Sequence, residues 1–329
     1  MERKYIAIGI FVVCVLCLIV GLFSPMMKQK STNVETGSAI MQKKMELSGA
    51  KIALLNIEGA ISSDLPVNAW SNVFSTVGFI DGLEKAKTDS NVKAILIRIN
   101  SPGGTVAASQ DIYDAILRAR KEKPVVASMA DMAASGGYYA ASAADRIVAQ
   151  KGTMTGSIGV IFNFMDVADL ADKLGITSNV IKSGKFKDSG SMYRKMSSDE
   201  QELFQSSVNN AYKQFIEAIE SARVNRKDMY KDMKELNLKT LKKYADGRVF
   251  LGDEAYELGF VDKLGSQYDA QILASEMAGY DKTLPVVSYN KSSAFNSFLT
   301  SLEGKLFPAV NKVLPFSYTH SSRPLLIWE

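Results

Sequence analysis

The run PVVASMADMAASGGYYAASAADRIVAQ, residues 124–150, decides the fold. Its opening, PVVASMADM (124–132), is apolar and β-rich, and so is its close, DRIVAQ (145–150). Between them the chain reads as helix after Ser135, Gly136 and Gly137. Two glycines in the first turn of a helix cost about 1 kcal/mol each relative to alanine. A strand, a glycine-marked corner, a helix and another strand make the repeating unit of an α/β protein.

The same alternation runs through much of the chain. KIALLNIEGAIS (51–62), KAILIRIN (93–100), SIGVIF (157–162) and SNVIKSG (178–184) read as strands. SQDIYDAILRARKEK (109–123) reads as a helix with Ile112, Ile116 and Leu117 on one face. Several strands are near-continuous apolar runs, as expected of strands covered on both faces. Ser197 and Glu200 have capping-box spacing, and Phe204, Val208, Tyr212, Phe215 and Ile219 then follow as a core-facing stripe. In ADGRVFLGDEAYELGFVDKLG (245–265) a turn, a strand start and a short helix are expected.

Composition narrows the function. The chain has 329 residues, 47% of them apolar, and a formal net charge of +4. It carries no basic stripe interleaved with aromatics, so nucleic acid is a poor partner. Both cysteines, Cys14 and Cys17, lie in an apolar N-terminal segment, which leaves no disulfide or cysteine metal site for the folded part. The one histidine, His320, lies in the tail, so a histidine-based triad would have to draw its base from there. No cofactor and no metal are expected.

Ile6 to Phe23 is eighteen residues without a charge, preceded by Arg3 and Lys4. This reads as an uncleaved transmembrane anchor over 6–26, since SPMMKQK after it lacks a small-x-small cleavage site. Residues 1–5 are expected to form a short cytoplasmic end, 27–50 a polar spacer, 51–290 the folded domain and 291–329 a tail. Lys28 and Lys30 balance Arg3 and Lys4, so charge alone does not orient the anchor. The tail is Ser-rich and then apolar over 295–316, interrupted by Pro308 and Pro315.

Ser135 has two readings. It can be a helix N-cap whose hydroxyl satisfies a free amide. It can also be a nucleophile, because the amide of Gly136 beside it, at the positive end of a helix, suits a developing oxyanion. INSPGGTVAAS (99–109) repeats the strand, Gly-Gly, helix pattern and offers Gly103 or Gly104 as a second donor. With histidine remote, the base would be a neutral lysine, whose pKa must fall from about 10.4 to about 7–8, a cost of about 4 kcal/mol that burial can supply. SGKFKDSG (183–190) offers Lys185 and Lys187.

The ordered set INSPGG, MAASGGYYAASAAD, TMTGSIGVI (153–161), IKSGKFKD (181–188) and DGRVFLGDEAYELGFVDKLG resembles the bacterial signal peptide peptidase A (SppA) family, in its short single-repeat form with an N-terminal anchor. The likeness covers residues 50 to 265. It implies a Clp protease/crotonase-like α/β spiral of β-β-α units that assembles into a homo-oligomeric ring. It also implies a serine endopeptidase with a Ser-Lys dyad that cleaves apolar peptides, such as remnant signal peptides, outside the cytoplasmic membrane. By position, Ser135 is the nucleophile, Lys187 the general base, with Lys185 rejected, and Ser157 a serine that places the lysine amine. Gly136, Gly104 and Gly103 are the oxyanion candidates. The run Gly156 to Ile161, with Ile158, Gly159 and Val160, would pair with an extended peptide. Serine and lysine are expected from adjacent subunits. The family's proline after the lysine is absent from SGSMYRK (189–195). A crotonase-like acyl-coenzyme A enzyme and a non-catalytic membrane-tethered ring are the competing readings.

Overall fold

Four of the apolar runs become the centre of one parallel sheet. In the computed structural model the chain is described over residues 49–63, 73–224, 226, 233–290 and 325–327. The expected anchor at 6–26, the spacer as far as 48, His320 and most of the tail lie outside these residues. Among the described residues no helix is long and apolar enough to cross a membrane.

The elements follow in chain order. β1 (Lys51–Glu58), β2 (Ala60–Ser62) and β3 (Val73–Ser75) lead into α1 (Thr76–Thr88). β4 (Val92–Ser101) and β5 (Gly103–Thr105) lead into α2 (Val106–Ala119), and β6 (Val125–Ala134) into α3 (Gly136–Ser142). β7 (Arg146–Ala149) and β8 (Met154–Gly156) are followed by α4 (Ala168–Lys173), α5 (Ser198–Arg223) and α6 (Leu238–Tyr244). β9 (Val249–Leu251), α7 (Gly252–Glu257), β10 (Lys263–Leu264), α8 (Gln267–Met277), β11 (Val286–Ser288) and β12 (Leu325–Ile327) complete the set. The larger sheet runs β10-β7-β6-β4-β1-β11, with β8 on β6 and β9 on β8. The smaller runs β12-β5-β2-β3. Two consecutive units thus take the form strand in the first sheet, corner, strand in the second, helix.

Alternation explains why the strands are apolar throughout. Ile95, Ile97 and Ile99 of β4 face the core shared with α1, α2, α3 and α5, whereas Ala94 and Leu96 face α8 through Ala270, Leu273 and Ala274. Each strand therefore buries both of its sides, and successive side chains point opposite ways. The expected α/β class and the helix within 109–123 are present, although α2 begins three residues earlier, at Val106.

Two expected strands are not formed. In SIGVIF the strand stops at Gly156, because Ser157 turns the backbone to φ 49°. SNVIKSG forms no strand and is exposed along its length. The stripe on α5 is split as well. Phe215 and Ile219 are buried in the core, but Phe204 stacks on Phe162 and Phe164 at ring distances of 5.5 and 4.5 Å. The capping box of Ser197 and Glu200 forms as read.

The far end of α5 is tied to the sheet through a buried acid. Asp262 accepts from the Ile147 amide at 2.7 Å and from Arg223 Nη2 at 2.5 Å. Breaking a buried pair from one side leaves a charge without its counterion, which costs about 3–5 kcal/mol. Asp262→Ala is expected to lower the urea midpoint accordingly at an unchanged slope, and a shift within error would mean that Asp262 does not hold α5 to the sheet.

Candidate active site

Ser135 sits where β6 gives way to α3, and its backbone is strained. Its φ is 53° and its ψ −117°. Left-handed backbone is uncommon for residues with a Cβ. Among the described residues only two that are not glycine have positive φ, and they are Ser135 and Ser157. Such conformations cost about 1–3 kcal/mol each and persist only where the surroundings over-determine them.

The surroundings here are specific. The Ser135 amide donates to the Gly156 carbonyl at 2.8 Å, and the Ser157 amide donates to the Arg248 carbonyl at 2.7 Å. Thr155 Oγ1 donates to the Ala133 carbonyl at 2.7 Å, fastening β8 alongside β6. On the other side α3 is anchored by its tyrosines. Tyr138 Oη donates to the Phe260 carbonyl at 3.0 Å, and the Tyr139 ring lies 4.6 Å from that of Phe215. Tyr138 and Tyr139 are also kept un-ionised, since burial pushes both phenols up, that of Tyr139 to about 12.

The Ser135 hydroxyl is buried, with the residue 1% exposed, and Oγ has no hydrogen-bond partner among the described residues. It occupies the N-cap position of α3 yet makes no cap bond, so the N-cap reading of this serine fails. A buried donor left unmade costs about 1–3 kcal/mol, and such a group in a native protein calls for an explanation.

The two glycine corners meet at this point. A Cβ on Gly136 would lie 2.4 Å from Ser109 Oγ, 3.1 Å from the Gly104 nitrogen and 3.3 Å from the Gly103 Cα. Gly104 is wedged in turn against β2, where a Cβ would fall 1.8 Å from the Ile61 carbonyl oxygen. Only glycine permits both approaches. The amide of Gly103 is already used, donating to Ser101 Oγ at 3.1 Å, which leaves Gly104 as the donor of that corner nearest to Gly136. Ser101 and Ser109 were not legible as site residues. Ser101 before Pro102-Gly103 has the local signal of a serine-stabilised turn. Ser109 has none, because its place under Gly136 is purely tertiary.

The structure therefore gathers Ser135, Gly136, Gly104, Gly103, Gly156 and Ser157. The run after Gly156 differs from the expectation of an open strand. The Ile158 carbonyl accepts from Gly247 at 3.1 Å, the side chain of Ile158 is fully buried, and Val160 is 9% exposed. An extended segment does pair beside the glycine corner: β12 lies antiparallel to β5, with Leu326 opposite Gly104.

Lys187 is not brought to Ser135 within the single chain. It is exposed, on a series of turns between α4 and α5. The cations near it are occupied. Lys182 pairs with Asp188 at 2.6 Å, Lys185 with Asp199, Arg194 with Asp188 and Glu200, and Lys195 with Asp169 at 3.4 Å. Between 181 and 200, Lys187 is the cation with no carboxylate partner among the described residues. Lys185 also lies over the Phe186 ring, 5.2 Å from its centroid.

A strained, buried serine at a helix start, with the Gly104 nitrogen of a second glycine corner packed against the neighbouring Gly136, is an arrangement of the serine-hydrolase kind. The model of peptidase family S49 matches residues 118–281, a window that holds Ser135, Ser157 and Lys187. A Synechocystis chain named as a protease is 37% identical over 231 residues, 70% of this chain and 76% of that one. An Enterococcus faecium chain named as signal peptide peptidase SppA is 32% identical over 82% of this chain and 79% of its own. A Methanocaldococcus jannaschii chain named as a protease is 32% identical, covering 82% and 81%. The chain belongs to the S49 peptidases of the signal peptide peptidase A family, and it is a serine protease.

The packing beside Ser135 can be tested apart from activity. Gly136→Ala is expected to lower the melting temperature by several degrees, and adding Ser109→Ala should recover part of that loss. Strictly additive losses would show that the Ser109 hydroxyl does not set the space at Gly136.

Proposed function

We propose that this chain is a membrane-anchored serine endopeptidase that uses Ser135 and Lys187 as a dyad. Its substrates are apolar peptides such as signal peptides left after export, and its catalytic domain faces outward from the cytoplasmic membrane. The observation that carries the reading is the Ser135 hydroxyl, buried and without a partner on a backbone of positive φ. A conformation and an unmade bond that both oppose folding are retained where a reacting group must stand in one place.

The chemistry follows from the groups available. Ser135 Oγ attacks the scissile carbonyl while its proton passes to the neutral amine of Lys187. The oxyanion lies between the amides of Gly136 and Gly104, at the positive end of α3. The lysine then gives the proton to the departing amine, leaving an acyl-enzyme. Water attacks this ester with the lysine again as base and restores Ser135. Ser157, next to Gly156 and likewise strained, orients the lysine amine.

The lysine comes from a second copy of the chain. Two observations support this. Lys187 is exposed on the single chain, and the Ser135 hydroxyl has no hydrogen-bond partner among the described residues. The large hydrophobic residues that are most exposed also concentrate on the arm carrying Lys187. Among the described residues all except Val77, Leu251 and Tyr268 fall between Ile161 and Leu203, and Ile181 is wholly exposed. Exposed apolar side chains gathered on one segment mark a surface that is covered in use. Substrate would add as a strand beside β5, as β12 does, so that recognition reads backbone ahead of side chains.

Ser135→Ala and Lys187→Ala are each expected to abolish peptide cleavage while the assembled particle keeps its size. Lys185→Ala should retain most activity, because its amine is committed to Asp199. A fluorophosphonate probe should label wild-type Ser135 and fail on Lys187→Ala. Near-normal turnover of Lys187→Ala at neutral pH would refute the dyad. Mixing Ser135→Ala with Lys187→Ala chains before assembly should restore part of the activity, since some junctions then hold one intact residue of each kind.

A further inference from the structure

We propose that Arg194 is a positioning residue for Lys187: it binds the turn that carries the lysine to the start of α5, and it draws the adjacent carboxylate of Asp188 away from the amine. The inference deepens the Ser-Lys reading and rests on it.

The segment 183–196 contains neither helix nor strand. Around Lys187 its backbone is held by single turns, the Lys187 amide donating to Gly184 at 3.2 Å, that of Ser189 to Phe186 at 3.2 Å and that of Ser191 to Asp188 at 3.1 Å; beyond them the Met192 carbonyl accepts from the Val167 amide at 2.8 Å. Turns of this kind do not fix an exposed side chain in space, so rigidity at Lys187 itself has to come from side chains. Arg194 supplies it with every nitrogen of its guanidinium. Nε donates to Asp188 Oδ2 at 2.9 Å and Nη2 to the Asp188 carbonyl at 3.1 Å. Nη1 and Nη2 grip the two oxygens of Glu200 at 2.8 and 2.5 Å. Glu200 is 2% exposed, and its Oε2 also accepts from the amide and hydroxyl of Ser197, so it belongs rigidly to the first turn of α5. The planar fork of arginine can span two carboxylates in this manner, and the point charge of a lysine cannot.

The charge pattern gives Arg194 a second effect. Asp188 follows Lys187 directly and is the carboxylate nearest to it in the sequence. Its oxygens are taken by Arg194 and by Lys182, whose Nζ lies 2.6 Å from Oδ1. Arg194 and then Lys182 hold the Asp188 carboxyl well below the usual carboxylate range, and Arg194 together with the Ser197 amide does the same for Glu200. Both acids therefore stay anionic, and engaged, at any pH where the peptidase works. The other charged groups about the turn, Lys185 with Asp199 and Lys195 with Asp169, are paired with each other. A base that has to lose its proton is thereby kept free of the anion that would retain it.

The test is the pH dependence of kcat/KM for the full chain with a fluorogenic apolar peptide. Arg194→Ala frees Asp188 Oδ2, with Oδ1 still on Lys182, and a carboxylate oxygen that can turn to a neighbouring amine favours its charged form by up to about one to three pH units. The rising limb should move to alkaline pH by about one unit or more, turnover at pH 7 should fall at least about tenfold, and KM should change little. Adding Asp188→Asn to Arg194→Ala should return the limb toward its wild-type position, a rescue that a merely structural arginine does not give. Arg194→Lys, which keeps the charge but loses the fork, should fall between. Should Arg194→Ala fail to assemble, Arg194→Lys alone and combined with Asp188→Asn carries the same comparison. A limb that stays in place in the arginine variants, or a shift that Asp188→Asn does not reverse, overturns the inference. Lys187→Ala measured alongside separates the two levels. If it is dead and the limb is unmoved, only the role of Arg194 is lost. If it is active, the dyad itself is wrong.

Discussion

The left-handed backbone at Ser135 is the constraint around which the molecule is organised. A serine will not hold that conformation unaided. It is held because the amide of Ser135 is bonded to the end of β8 at Gly156, because β8 is riveted to β6 through Thr155, and because α3 is packed by Tyr138 and Tyr139 into a core that also receives α5. Each of these contacts joins segments far apart in the chain. The strain at one residue is thus sustained by most of the folded domain, as expected of a site that has to be rigid before substrate arrives.

The same corner explains why two glycine-rich turns share one location. β4 and β6 are parallel neighbours, so their carboxyl ends lie at the same edge of the sheet. The glycine corners that follow them start at that edge and bring Gly104 of β5 against Gly136, the first residue of α3. Gly104 can meet Gly136 only because neither carries a Cβ, and Gly104 is pressed at the same time against Ile61 of β2. The second small sheet therefore shapes the corner beside Ser135, since β2 sets how closely Gly104 approaches Gly136.

The arm between Ile161 and Leu203 follows different physics. It contains little regular structure beyond α4, its large apolar side chains face outward, and its shape is laced by ion pairs in place of backbone ladders. Such a segment is stable when another surface covers the apolar groups and the ion pairs set its form. The amine of Lys187, left out of that lacing, is what the arm presents.

The central sheet strands and the helix starts were legible from residues alone, whereas Ser135 read there as a helix N-cap or a nucleophile, and the family likeness is what singled out the second reading. Apolar runs of strand length, glycine pairs after them and the capping pattern at Ser197 are local signals, and local physics governs them. The strands assigned to SIGVIF and SNVIKSG did not form, because Ser157 turns the first one away and leaves it held by single bonds to Arg248 and Gly247, and the second is exposed along its length. Lys185 and Lys187 could not be separated by the residues around them without a family likeness, for they differ in which carboxylate stands nearby. The sequence by itself determined that a serine followed by two glycines would open a helix at the end of a buried strand. Only the tertiary structure decided that this serine would be strained, buried and unpartnered, that a second glycine corner would face it, and that Arg194 would take the acid beside Lys187. The reason is that these depend on close approaches between segments tens of residues apart, which no local pattern encodes.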